Sequence, residues 1–80
     1  MKVVVHYFAS LRDRAGCSSE DVEMADGASL SALYAQCSTR HGFDFPQARL
    51  RVALDDAFVS WDHGLHEGAQ VVFLPPVSGG

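Results

Sequence analysis

Apolar positions change their spacing along this chain, and each change marks an element. Val3, Val5 and Tyr7 alternate with Val4 and His6 in a β-branched and aromatic run. Lys2 to Ala9 therefore reads as a strand with Val3, Val5 and Tyr7 on one face. SLRDRAG breaks that alternation: Arg12, Asp13 and Arg14 are solvated, and Gly16 closes a segment with room for one helical turn. Glu20 to Met24 alternates acid with apolar, the mark of a half-exposed second strand. After the Asp26-Gly27 turn signal the period becomes helical. Leu30, Leu33, Tyr34, Cys37 and His41 form one stripe, with Ser29 as N-cap and Gly42 as the stop. A loop containing Pro46 follows. Leu50, Val52 and Leu54 alternate again, Asp55-Asp56 turns the chain, and Ala57 to Trp61 is a short fourth strand. Asp62 to Gly68 is a polar loop anchored by Leu65, and Val71 to Leu74 is the last strand. Pro75 and Pro76 then end sheet pairing, because neither has a backbone donor.

The order β-β-α-β-β-β predicts an α+β domain with one main helix on one face of a mixed five-stranded sheet. With the first and last strands central and parallel, this is the β-grasp, or ubiquitin-like, arrangement. Residues 1–74 are expected to form the domain and residues 75–80 a flexible tail ending in Gly-Gly.

Composition narrows the class. Eighty residues, 48% of them hydrophobic and 20% charged, make one ordered domain with a small core. Such a chain has little room for a catalytic cleft of its own. A net charge of −4 argues against nucleic acid as partner. Apolar runs such as Val71 to Pro76 are far below the ~20 residues that span a bilayer. MKVVVHYFAS reads as a strand, not a signal peptide. Cys17 and Cys37 have no metal spacing and are too sparse for a disulfide framework, so packing and a reducing, cytoplasmic setting are expected.

One helix covers one sheet face, yet Val3 to Val5 and Val71 to Leu74 are apolar on both. Either loops cover the second face or a partner protein does. The partner is preferred, because large apolar patches usually mark interfaces. Its expected contacts are Phe8, Phe58, Trp61, Val72, Phe73 and Leu74.

The ending, FLPPVSGG, is a further feature. Pro75-Pro76 is stiff and extended. Pro75 to Gly80 can reach roughly 20 Å from the domain. Gly79 and Gly80 lack a Cβ, so they pass through a narrow tunnel, and Gly80 presents an unhindered carboxylate. A carboxylate must be activated before a nucleophile attacks it, for example as an acyl-adenylate. The chain has no Gly-rich phosphate loop, Arg-Lys cluster or acidic metal pair to do so. The tail therefore reads as the substrate of another enzyme.

Other candidates carry less. Asp62, His63, His66 and Glu67 cluster in DHGLHE, but on a turn and without a zinc spacing. His6 is placed on a sheet face and His41 at a helix C-terminus, where its charge is favoured. Neither cysteine shows a nearby base. Asp13, Asp55, Asp56 and Glu67 read as solvated surface, a minority of them meeting a basic partner surface.

FVSWDHGLHEGAQVVFLPPVSGG, Phe58 to Gly80, resembles the C-terminal part of the small, sulfur-carrier subunits of molybdopterin synthase, in the ubiquitin-like MoaD/ThiS family. VHYFASLRDRAG, Val5 to Gly16, resembles that family's N-terminal strand and loop. The middle, residues 17 to 57, matches in pattern and length only, and Asp55-Asp56 stands where the family often has Asn.

The resemblance implies that a ubiquitin-activating-type adenylyltransferase uses ATP to adenylate Gly80, and that a sulfur donor protein then leaves a thiocarboxylate. The tail would enter the large, catalytic subunit, guided by Pro75, Pro76, Val77 and Ser78, with Gly79 supplying slimness. Its sulfur would go to a cyclic pyranopterin monophosphate (precursor Z), building the dithiolene of the molybdenum cofactor. Two small subunits would flank a dimer of large ones, and the domain would bind no cofactor. Competing readings are a sulfur carrier for thiazole, thiolated tRNA or cysteine, a protein modifier joined through Gly80, and a binding module with an idle tail. Lys2 is the one lysine, which disfavours self-linked chains.

Overall fold

The computed structural model describes residues 1–75. The elements are β1 (Lys2–Tyr7), α1 (Ala9–Ala15), β2 (Ser19–Glu23), α2 (Leu30–His41), β3 (Arg51–Leu54), β4 (Ala57–Phe58) and β5 (Gln70–Leu74), with a 3-10 turn at Gln47–Arg49 before β3. The sheet order is β2-β1-β5-β3-β4. β1 and β5 are parallel neighbours at its centre, with Val5 opposite Val71 and Tyr7 opposite Phe73. The other pairs are antiparallel. This is the β-grasp, ubiquitin-like fold.

The period-2 pattern decides which side chains go inside. Val3, Val5, Tyr7, Val52, Leu54, Val71 and Phe73 face the helix side and are buried. The α2 stripe of Leu30, Leu33, Tyr34 and Cys37 packs onto them. Ser29 caps α2 by accepting from the Ala32 amide at 3.2 Å. The Trp61 and His63 carbonyls accept from the Ser31 and Leu30 amides at 3.0 and 3.1 Å, satisfying further donors of the first turn. Gly42, at φ 68°, ends α2 in a left-handed conformation.

Two elements differ from expectation. SLRDRAG holds a complete second helix, α1, which buries only Leu11. A single apolar anchor gives no stripe, so the sequence pattern conceals it. β4 is two residues rather than five. After Val59 the chain turns at Ser60 to His63 and carries Trp61 to the helix side. Trp61 stacks there on Phe73, ring centroids 5.8 Å apart. A strand that keeps its ladder cannot also place that indole in the core.

The C-terminus of α2 is held by a polar cluster. Glu20 on β2 accepts from the Tyr7 hydroxyl and from Arg40 Nη1 at 3.1 Å, and lies 2.6 Å from His41 Nε2. Burial pushes the Glu20 carboxyl upward, but the hydrogen bonds from Tyr7, His41 and Arg40 outweigh it and hold it below its ordinary 4.5. The contribution to stability is therefore full above that ordinary value and lost as pH falls through the lower folded value. Thermal melts followed by circular dichroism should show a falling midpoint below about pH 5, and Glu20→Gln should flatten that fall. An identical acid-side decline in the variant would remove Glu20 as its source.

Candidate functional site: an open sheet face

The residues that alternate with the core positions form the opposite face of the sheet. His6, Val72, Ala53 and Phe58 lie in one row across β1, β5, β3 and β4. Leu74 pairs with Arg51 in the next row. Phe8, just beyond β1, is 49% exposed and Phe58 61% exposed. These are the exposed large hydrophobic residues among those described. No described loop covers them, so the second sheet face is open among the described residues. The Arg51 guanidinium lies 4.7 Å above the centre of the Phe58 ring.

A groove of about 450 Å³ opens beside this row, lined by His6, Phe8, Asp55, Asp56, Gln70 and Val72. Its acidic end is the β3–β4 turn. Asp55 and Asp56 both have positive φ, 49° and 71°. Two such residues make the turn that matches strand twist, and Asp tolerates the left-handed region better than most residues. Asp55 is also held by its own carboxylate. Oδ1 accepts from the Gln70 amide at 2.9 Å and Oδ2 lies 2.6 Å from His66 Nε2. The other His66 nitrogen, Nδ1, lies 3.0 Å from the Glu67 carbonyl. Both nitrogens thus face oxygens that only accept, so the geometry favours the imidazolium.

The pKa directions agree. The Gln70 amide first, then His66, holds Asp55 below its ordinary carboxyl range. The Asp55 hydrogen bond first, then the Glu67 carbonyl, raises His66 above 6.5. This pairing is present below the ordinary histidine value and is lost as pH rises through the raised one.

The structure sorts the expected contacts. Phe8, Phe58, Val72 and Leu74 are placed on or beside the open face. Phe73 is not: it is 0% exposed, on the helix side, with Tyr34 at 5.1 Å and Trp61 at 5.8 Å between ring centroids. The expectation of Phe73 as a contact is corrected by strand alternation, since Val72 and Leu74 take the outer positions. Trp61 is half-buried against the same core and lines a separate depression of about 330 Å³ at the sheet edge, with Phe58 and Val59. It therefore does not lie on the open face. Arg51 and Ala53 do, although sequence reading passed over them; their place between core residues Val52 and Leu54 was the available signal.

Pro75 is half-buried at the end of β5. The roles expected of Pro76, Val77, Ser78, Gly79 and Gly80 lie outside the described residues. Among the described residues, no cluster of three His, Cys, Asp or Glu side chains is placed to hold a metal, and no helix is long and apolar enough to cross a membrane. Burial raises the Cys37 thiol, which makes it a poor nucleophile.

Comparison with known proteins adds to this geometry. A family model described as the ThiS family matches residues 5–80. The molybdopterin synthase sulfur carrier subunit of Escherichia coli is 35% identical over 81 residues, covering 98% of this chain and 99% of the relative. A solved structure, the putative molybdopterin converting factor subunit 1 of Pyrococcus furiosus, superposes with a TM-score of 0.82 at 31% identity, covering 96% of this chain and 99% of that one. A chain from the complex of subunits 1 and 2 of the molybdopterin-converting factor of Helicobacter pylori superposes at 0.71 with 25% identity, covering both chains fully.

Proposed function

Since the chain belongs to the ThiS family, we propose that it is the sulfur-carrying small subunit of a molybdopterin synthase. The observation that carries this reading is the near-complete match, at 35% identity, to a sulfur carrier subunit of that enzyme. The fold supports it. β5 is a central strand, so its last residues cannot drift without disturbing the core. Leu74, at its end, belongs to the open face, so the chain leaves the sheet beside the surface suited to a partner. The ending PPVSGG follows there.

In this reading an adenylyltransferase converts the Gly80 carboxylate to an acyl-adenylate, using ATP and releasing pyrophosphate. A sulfur donor displaces AMP and leaves a thiocarboxylate. That sulfur is anionic at neutral pH and a better nucleophile than oxygen. It attacks a side-chain carbon of the pterin precursor in the large subunit, an oxygen substituent leaves that carbon, and water cleaves the resulting acyl–sulfur link. Sulfur stays on the product and Gly80 returns as a carboxylate. The open face, with Phe8, Phe58, Val72 and Leu74, docks the large subunit, two carriers flanking a dimer of large chains.

Intact-mass spectrometry after incubation with the host adenylyltransferase, ATP and a sulfur source should find one oxygen replaced by sulfur, located at Gly80. An unchanged mass with active partners would end this reading. Phe58→Asp should keep the fold, because the ring lies outside the core, yet weaken large-subunit binding tenfold or more, as loss of a central aromatic contact does. Isothermal titration calorimetry measures it.

A further inference from the structure

We propose that the groove between Phe8 and the Asp55–Asp56 turn receives an arginine side chain of the partner protein. This deepens the proposed function and rests on its reading of the open face as the docking surface.

The groove has the three parts an arginine needs. Val72 on its floor is apolar and suits the methylene stem. The half-exposed Phe8 ring closes the end of the groove away from the turn and offers apolar contact to that stem. The turn supplies negative charge. Asp55 has committed both oxygens, to His66 and to the Gln70 amide. Asp56 lines the same groove and, among the described residues, makes no ion pair or side-chain hydrogen bond. Asp55 pairs with His66 while Asp56 has no such partner, which leaves the turn end of the groove negative. His6, held through Nε2 by Gln70 Oε1 at 2.8 Å, is the remaining polar wall. Gln70 Nε2 donates to the Gly68 carbonyl at 3.4 Å, which fixes its oxygen toward His6. His6 therefore donates from Nε2 to Gln70.

The same face already stacks one guanidinium on an exposed aromatic ring, Arg51 on Phe58. Phe8 is the second exposed ring and has no cation of this chain placed over it among the described residues. The acidic groove next to it is complementary to a cation brought from outside. Arginine fits better than lysine because its planar, weakly hydrated head pairs with a carboxylate through two parallel hydrogen bonds.

Two experiments test this. The first titrates the full 15N-labelled chain with N-acetylarginine methylamide, and separately with N-acetylnorleucine methylamide, which has an apolar stem and no cation. The arginine probe should shift the Phe8, Val72 and Asp56 amides saturably, with a dissociation constant on the order of millimolar. The norleucine probe should shift them far less. Asp56→Asn, which tolerates the left-handed turn, should weaken the arginine probe by about two- to fivefold. Equal responses to both probes, or none to either, would overturn the groove.

The second experiment measures large-subunit binding. Asp56→Asn should slow association and flatten its salt dependence, and Asp56→Lys should weaken binding by about tenfold or more. If Phe58→Asp abolishes binding while both Asp56 variants bind as the parent does, the groove proposal fails and the docking face stands. If Phe58→Asp leaves binding intact, the docking face itself fails, and the probe titration still decides the groove.

Discussion

A chain lacking Gly79 and Gly80 is expected to show no sulfur transfer above background while keeping the melting temperature of the full chain and still docking the large subunit through the open face. In the proposed function the carrier atom is the terminal carbonyl carbon, so the expected loss is chemical rather than structural. The described fold ends its pairing at Leu74, and the core residues all precede it. Truncation therefore leaves every described core residue in the chain. A chain merely shortened to Ser78 presents a new carboxylate, but two residues nearer the domain and with a side chain on its last carbon. Steric access to a narrow active site requires residues without Cβ at that point. The measurement is product formation from thiocarboxylated carrier and large subunit, alongside a thermal melt. Undiminished cofactor assembly by the truncated chain would show that the tail is idle.

Phe73→Ala is expected to destabilise the domain by about 3–5 kcal/mol, the range for deleting a fully buried aromatic ring. Phe73 is 0% exposed and contacts Tyr34 and Trp61. A domain of this size has only about 4–12 kcal/mol in total. The variant should thus unfold partly near physiological temperature. Phe58→Ala, two strands away on the open face, should change stability by about 0.5 kcal/mol or less, as solvated surface positions do. Urea titrations of both separate the roles. Similar costs for the two would contradict the assignment of one ring to the core and the other to the docking face.

That pair also shows what the sequence holds and what it hides. The α2 helix was legible to the residue because Leu30, Leu33, Tyr34 and Cys37 repeat at helical spacing between a capping serine and a stopping glycine. The central parallel pair was legible because its strands are apolar on both faces. Phe73 was misplaced for a related reason. When every residue of VVFL is apolar, alternation no longer says which side is which, and only the pairing of Phe73 with Tyr7 and Val52 assigns it. α1 was read as a single helical turn because it has one buried anchor, Leu11. The groove was illegible because its lining comes from residues 6, 8, 55, 56, 70 and 72, brought together only by the sheet order.

The pairing of β1 with β5 has a consequence for biosynthesis. Val4 lies beside Gln70 and His6 beside Val72, so the central ladder joins segments more than sixty residues apart in the chain. Contacts of such high order form late and pay a long loop closure. A nascent chain that stops before residue 70 lacks the strand to which both β1 and β3 bind, so the β1–β2 and β3–β4 pairs stay unjoined. A chain released without β5 therefore lacks Val71, Phe73 and the joined sheet on which the core packs, and quality control meets it as an incompletely folded polypeptide.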